Sequence, residues 1–262
     1  MLQLSSLSAL FGALRCGRTV EAQAYTLSRK VLQALEAAAR RGASVAVRLE
    51  ADPVSDRKGA LAKYNRRLVG EMRAAGVDAA LESHVHAKSI DVDGTRYLDE
   101  KNFAGDSDLV LADDDPADPA VATRKSDALA AETALLRSAR APDDVIVESE
   151  TFGATSVSRA LRELAAAGVA ARLIIAGRSL KENANERKEL ASLAAAGVRI
   201  RRCNDSSKLA VAGNAAWAGS ANATSAWGRY DMTDWGARTG DAAIVGAVRD
   251  RLEKLWAHAR PL

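Results

Sequence analysis

Two stretches of this chain repeat each other at a fixed distance, and that limits the available folds more than any other feature. NRRLVGEMRAAGV, starting at Asn65, is answered by NERKELASLAAAGV, starting at Asn185. Lys88 and Lys208 stand the same 120 positions apart, and so do Asn102 and Asn222. An alanine-rich helix recurring alone would mean little. A register kept through the next loop and hairpin indicates that a whole folding unit was duplicated.

Each copy has the same coarse order. In the first, TVEAQAY reads as a strand, VLQALEAAARRG as a helix with Val31, Leu32, Leu35 and Ala39 on one face, and ASVAVRLE as a strand. LAKYNRRLVGEMRAAG is a second helix with Leu61, Tyr64, Leu68 and Met72 in one stripe, VDAALES a strand, and KSIDVDGTRYLDE a hairpin turning at Asp93-Gly94. The second copy repeats this with DVIVESE, VSRALRELAAAG, ARLIIAG, ERKELASLAAAG, VRIRRC and a hairpin turning at Gly213-Asn214. Strands alternating with helices predict an α/β fold with a central sheet covered on both sides. Residues 1–15 read as an opening helix. The predicted division is a first half over 1–118, a linker and connecting helix over 119–142 (the acidic, proline-bearing run leads into it), and a second half over 143–262.

Composition excludes some classes. Of 262 residues, 48% are hydrophobic and 27% charged, as in an ordinary globular protein. The net charge of +3 permits phosphate-bearing partners without demanding them. Cys16 and Cys203 lie far apart and outside any C-x-x-C spacing, which argues against a disulfide framework or zinc site and for a reducing, cytoplasmic setting. No apolar run is long enough to span a bilayer.

The first hairpin carries the chemistry. His86, Lys88 and Asp93 fit H-x-K-x-x-x-x-D, with Asn102 downstream; in the second copy Gly219, Ser220 and Asn222 fit G-S-x-N. On these residues the chain resembles the phospholipase D superfamily, over nearly its whole length. The resemblance implies a duplicated α/β/α sandwich with two pseudo-symmetric halves around one site, for which a monomer suffices. It makes His86, Lys88 and Asp93 the catalytic residues, with His86 the nucleophile through a phosphohistidine, and Lys88, Asn102, Lys208, Ser220 and Asn222 the groups that bind phosphate. The physical logic agrees. A phosphodiester is an anion, so cations and amides must surround its oxygens, and a neutral imidazole can split one displacement into two. In this scheme fixed lysines supply the positive charge, and neither metal nor cofactor is expected.

The second motif departs from the pattern. Ser206 stands where a histidine belongs and Gly213 where an aspartate belongs. In the family the aspartate of one half is taken to orient the histidine of the other, so Gly213 would leave His86 without its carboxylate. Asp205, Asn214 or water are substitutes to consider, and His84 is a candidate replacement acid. In the first copy Asp99-Glu100 replaces the G-S pair and would repel a phosphate it faced.

Plainer readings stand beside these. Asp93 can serve only the turn, and Gly213 keeps the turn while discarding the carboxylate. His84 is more simply a polar neighbour, and His258 a surface residue. Trp217 reads as core, while Trp227 and Trp235 are candidates for an aromatic rim. The expected function is metal-independent hydrolysis of a phosphodiester: a nucleic acid, a phospholipid head group or a small diester. The aromatic content of 4% leans slightly away from lipid surfaces. The alternative is a catalytically impaired relative that binds phosphate groups or a protein partner.

Overall fold

A computed structural model describes the chain except residues 55, 57, 106, 107, 116, 178, 179, 181, 182 and 225–231. It divides into two compact units. The first comprises Met1–Pro119 with Met232–Asp234, the second Ala120–Asp231 with Trp235–Leu262.

The first unit runs β1 (Leu2–Ser5), α1 (Leu7–Cys16), β2 (Thr19–Ala24), α2 (Arg29–Arg40), β3 (Ser44–Glu50), α3 (Ala60–Ala74), β4 (Asp78–Glu82), β5 (Lys88–Val92), β6 (Thr95–Asp99) and β7 (Val110–Asp113). Its sheet has the order β1-β7-β6-β5-β2-β3-β4. Strands β2, β3 and β4 are parallel and joined by helices; β5, β6 and β7 form an antiparallel meander. Along β2 the residues Val20, Ala22 and Ala24 are buried while Thr19, Glu21 and Gln23 are exposed, the alternation of a strand with one face on the core. On that core, Val31, Leu32 and Leu35 of α2 pack with Leu68 and Met72 of α3.

The second unit runs β8 (Val121–Arg124), α4 (Lys125–Ser138), β9 (Asp144–Ser149), α5 (Ser156–Ala166), β10 (Ala170–Ile175), α6 (Ala184–Ala195), β11 (Arg199–Arg202), β12 (Leu209–Ala212), β13 (Ala215–Gly219), β14 (Thr233–Thr239), α7 (Ala242–His258) and β15 (Arg260–Pro261). Its sheet is β15-β11-β10-β9-β12-β13-β14-β8. Apart from β15 this is the first sheet's order, strand for strand. The second sheet is buried more thoroughly: β12 and all of β9 after Asp144 are enclosed, because α4 and α7 both pack on β12 and β13. Among the described residues the first unit has no counterpart of α7.

The matched order corrects three sequence expectations. The stretch read as a linker and connecting helix holds a strand, β8, before the expected helix, α4, and the two are counterparts of β1 and α1. Its acidic run also hid a strand: β7 pairs with both β1 and β6. The opening helix is preceded by β1, short and largely exposed, whose hydrophobic pattern was too weak to read. Trp217 is fully buried on β13, as expected. Trp235 is not a rim residue: it lies on β14, only 2% exposed. Trp227 falls outside the described residues.

Candidate functional site

His86 and Lys88 enter the first unit's sheet at the start of β5, and their approach is fixed by carboxylates and backbone. Glu50, buried at the end of β3, accepts hydrogen bonds from the backbone of Asp52, His84 and Val85. Its burial pushes its pKa upward. Val85 bridges Thr233 in parallel, His86 N donates to Thr233 O at 2.9 Å, and Thr233 N donates to His84 O at 2.9 Å. This short ladder ties the H-x-K strand to residues 232–234 of the same unit.

That ladder brings in a residue the motif did not include. Asp234 Oδ1 lies 2.7 Å from His86 Nδ1, and the Asp234 side chain is 1% exposed. A carboxylate only accepts, so the ring nitrogen facing it carries the proton, and Nε2 is left with its lone pair. The expectation that His86 lacks an orienting carboxylate is therefore corrected. The Lys88 ammonium donates to His86 O at 2.6 Å and stands 3.4 and 3.5 Å from the two ring nitrogens. The Tyr25 ring meets the imidazole edge-on, with centroids 5.1 Å apart, and lies 5.9 Å from the Lys88 nitrogen. The His86 side chain keeps 14% exposure, enough to present Nε2.

Asp93 lies elsewhere. It follows the far end of β5, roughly 16 Å along the strand from Lys88 at about 3.3 Å per residue. Its carboxylate accepts from Arg18 N and Thr19 N at 2.8–3.2 Å, and its φ of 50° is the left-handed conformation the hairpin turn requires. In the second unit Gly213 holds the same turn with φ 51°. The carboxylate has moved: Asp143 Oδ1 lies 3.3 Å from where a Gly213 Cβ would stand, and Asp143 matches Arg18 in the strand register. The Asp143 carboxylate itself accepts from Arg140 N at 2.8 Å.

The second unit keeps its lysine's posture without the histidine. Lys208 Nζ donates to Ser206 O at 2.7 Å, as Lys88 does to His86 O. It also pairs with Glu150 at 3.1 Å. Gly219 N donates to Lys208 O at 3.1 Å, which anchors the turn carrying Ser220 and Asn222. Ser220 Oγ accepts from Trp235 N at 2.9 Å, and in the first unit Glu100 Oε1 accepts from Leu109 N at 3.0 Å. Glu100 thus holds the serine's structural place. Asp99 and Glu100 are fully buried in the first unit; burial and the Glu100 charge raise the Asp99 pKa well above the usual carboxylate range. The buried Oδ1 atoms of Asn102 and Asn222 accept no hydrogen bond among the described residues. Of the substitutes considered, Asp205 is bound to Ser207 and Arg251 in the second unit, and the exposed His84 has φ 69°. Among the described residues no cluster of His, Cys, Asp and Glu could hold a metal ion.

Comparisons with known proteins bear on the family and the fold. The family model described as cardiolipin synthase, phospholipase D-like domain, matches residues 133–256, most of the second copy. Residues 133–256 are thus similar to a phospholipase D-like domain. Two solved structures share its two-copy fold along the whole length. Phosphatidylserine synthase from Haemophilus influenzae Rd KW20 covers 100% of this chain and 87% of its own, with TM-score 0.65 and 9% identity. Polyphosphate kinase from Porphyromonas gingivalis covers 97% of this chain, with TM-score 0.63 and 18% identity. The chain spans 50% of that kinase's length. At such identities the likeness is one of fold. No curated protein sequence matches the chain. Among the described residues no helix is long and apolar enough to cross a membrane.

Proposed function

We propose that the protein is a phosphodiesterase whose nucleophile is His86. The observation that carries this reading is the Asp234–His86 hydrogen bond of 2.7 Å beside the Lys88 ammonium. Asp234 holds the proton on Nδ1, so the Nε2 lone pair attacks phosphorus; the leaving oxygen departs with its bonding electrons, and a phosphohistidine remains. Lys88 stabilises the charge gathering on the phosphoryl oxygens, and Asp234 the charge left on the imidazole. Water then attacks the phosphohistidine, releases a phosphomonoester and restores the imidazole. Lys208, Ser220, Asn102 and Asn222 are proposed phosphate-binding groups by resemblance, and no metal takes part. Asp93 has a turn to hold and is assigned no chemical step. The substrate class is a phosphodiester with a good leaving group, because Ser206 cannot act as the acid that protonates a poor one. Two free cysteines suit a reducing, cytoplasmic setting.

The test is hydrolysis of an activated aryl phosphodiester in EDTA. Wild type should turn over and His86→Ala should not. Equal rates in the two, or a rate abolished by EDTA, would overturn the proposal. A second reading, a phosphate-binding protein without turnover, is favoured by Ser206 and by the pairing of Lys208 with Glu150. It predicts phosphate binding with no His86-dependent hydrolysis.

A further inference from the structure

The two H-x-K-type strands differ in what stands beside their lysines. In the ladders, Ala24 pairs with Lys88, and Glu148 with Leu209, so Tyr25 and Glu150 occupy matching positions just past the ends of β2 and β9. In the first unit that position puts an aromatic ring 5.9 Å from the Lys88 ammonium. In the second it puts a carboxylate 3.1 Å from the Lys208 ammonium. The Lys208 side chain is 3% exposed and that of Glu150 is 36% exposed. A buried ammonium needs a partner anion, and the one it has here comes from its own chain.

We propose that Glu150 is a built-in counter-anion: it takes the place of a phosphoryl oxygen at Lys208 and closes a tetrahedral-oxyanion site in the second unit. This rests on the reading that the lysine of each such strand binds a phosphoryl oxygen. Glu150 is the more exposed of the two, while Lys208 is held by Ser206 O at 2.7 Å. An incoming anion must displace the carboxylate, and a dianion meets more repulsion from it than a monoanion does. The closed site therefore favours singly charged phosphodiesters over doubly charged phosphate and phosphomonoesters. It thereby disfavours retention of a phosphomonoester product.

The test is calorimetric titration of inorganic phosphate into the full chain and its variants. Glu150→Gln should bind phosphate about tenfold more tightly than wild type, and Glu150→Gln with Lys208→Ala should lose the gain. No gain in Glu150→Gln, or a gain that survives Lys208→Ala, would overturn the proposal. Circular dichroism checks folding; if Glu150→Gln does not fold, Glu150→Tyr, which copies the first unit, carries the same comparison. Diester hydrolysis keeps the two proposals apart. A Lys208-dependent gain in a protein without His86-dependent turnover would sink the phosphodiesterase reading and leave this one standing; turnover without the gain would do the reverse.

Discussion

The imidazole of His86 and the carboxylate of Asp234 lie 148 residues apart in sequence and 2.7 Å apart in space. A carboxylate at that distance holds a proton on Nδ1 of the ring. Asp234→Asn replaces a pure acceptor with a group that can also donate, so the imidazole can bind it in the wrong tautomer or orientation. The kcat for an aryl phosphodiester should fall by roughly 10²–10⁴-fold, with KM moving far less. Steady-state kinetics on Asp234→Asn decides it; a loss below threefold would remove Asp234 from the mechanism.

Asp93 should behave as a turn residue. Asp93→Gly keeps the left-handed conformation and loses two backbone hydrogen bonds to a charged acceptor, in an exposed setting, so it should cost about 1 kcal/mol. Adding Arg18→Asp copies the arrangement of Gly213 with Asp143 and should recover most of the loss. Urea unfolding midpoints of the single and double variants test this, and diester hydrolysis should change less than threefold in both. A large loss of kcat in a stably folded Asp93→Gly would return Asp93 to the chemistry.

The history of Asp234 explains how far the sequence could be read. The fold was legible because apolar periodicity and the fixed repeat spacing both follow from packing, which acts along the whole chain. His86, Lys88 and the asparagines were legible because they sit inside the constant-spacing stretch. Asp234 corresponds to Asp108 through the register of β6 with β7 and of β13 with β14. Asp108 follows Asn102 by six residues, but Asp234 follows Asn222 by twelve, so the insertion broke the spacing just before the carboxylate that meets His86. Aligning the two copies past the asparagines with a gap would have paired the aspartates. Glu150 gave no comparable signal, since its counterpart is Tyr25 and only the ladders bring it beside Lys208. The nearness of Asp143 to Gly213 was hidden for the same reason: the motif names a position in the sequence, and only the strand register sets Asp143 opposite that turn.

Glu132 offers a prediction about stability rather than chemistry. It lies on α4, completely buried, and burial raises its pKa to about 8. The folded protein therefore keeps this proton over a range in which the unfolded chain, with an ordinary value of 4.5, has released it. Its contribution is fully present below about 4.5, declines as the pH rises, and is lost by about 8. Glu132→Gln keeps the shape and the neutral hydrogen-bonding head while removing the titration. At pH 7 the variant should be more stable than wild type, by up to on the order of 3 kcal/mol from the size of the shift. Below pH 4.5 the two should nearly coincide. Urea unfolding of both proteins from pH 4 to 9 gives the answer: a difference that grows between 4.5 and 8 supports a neutral buried Glu132, whereas parallel curves would mean that the carboxylate is ionised and paired in the folded state.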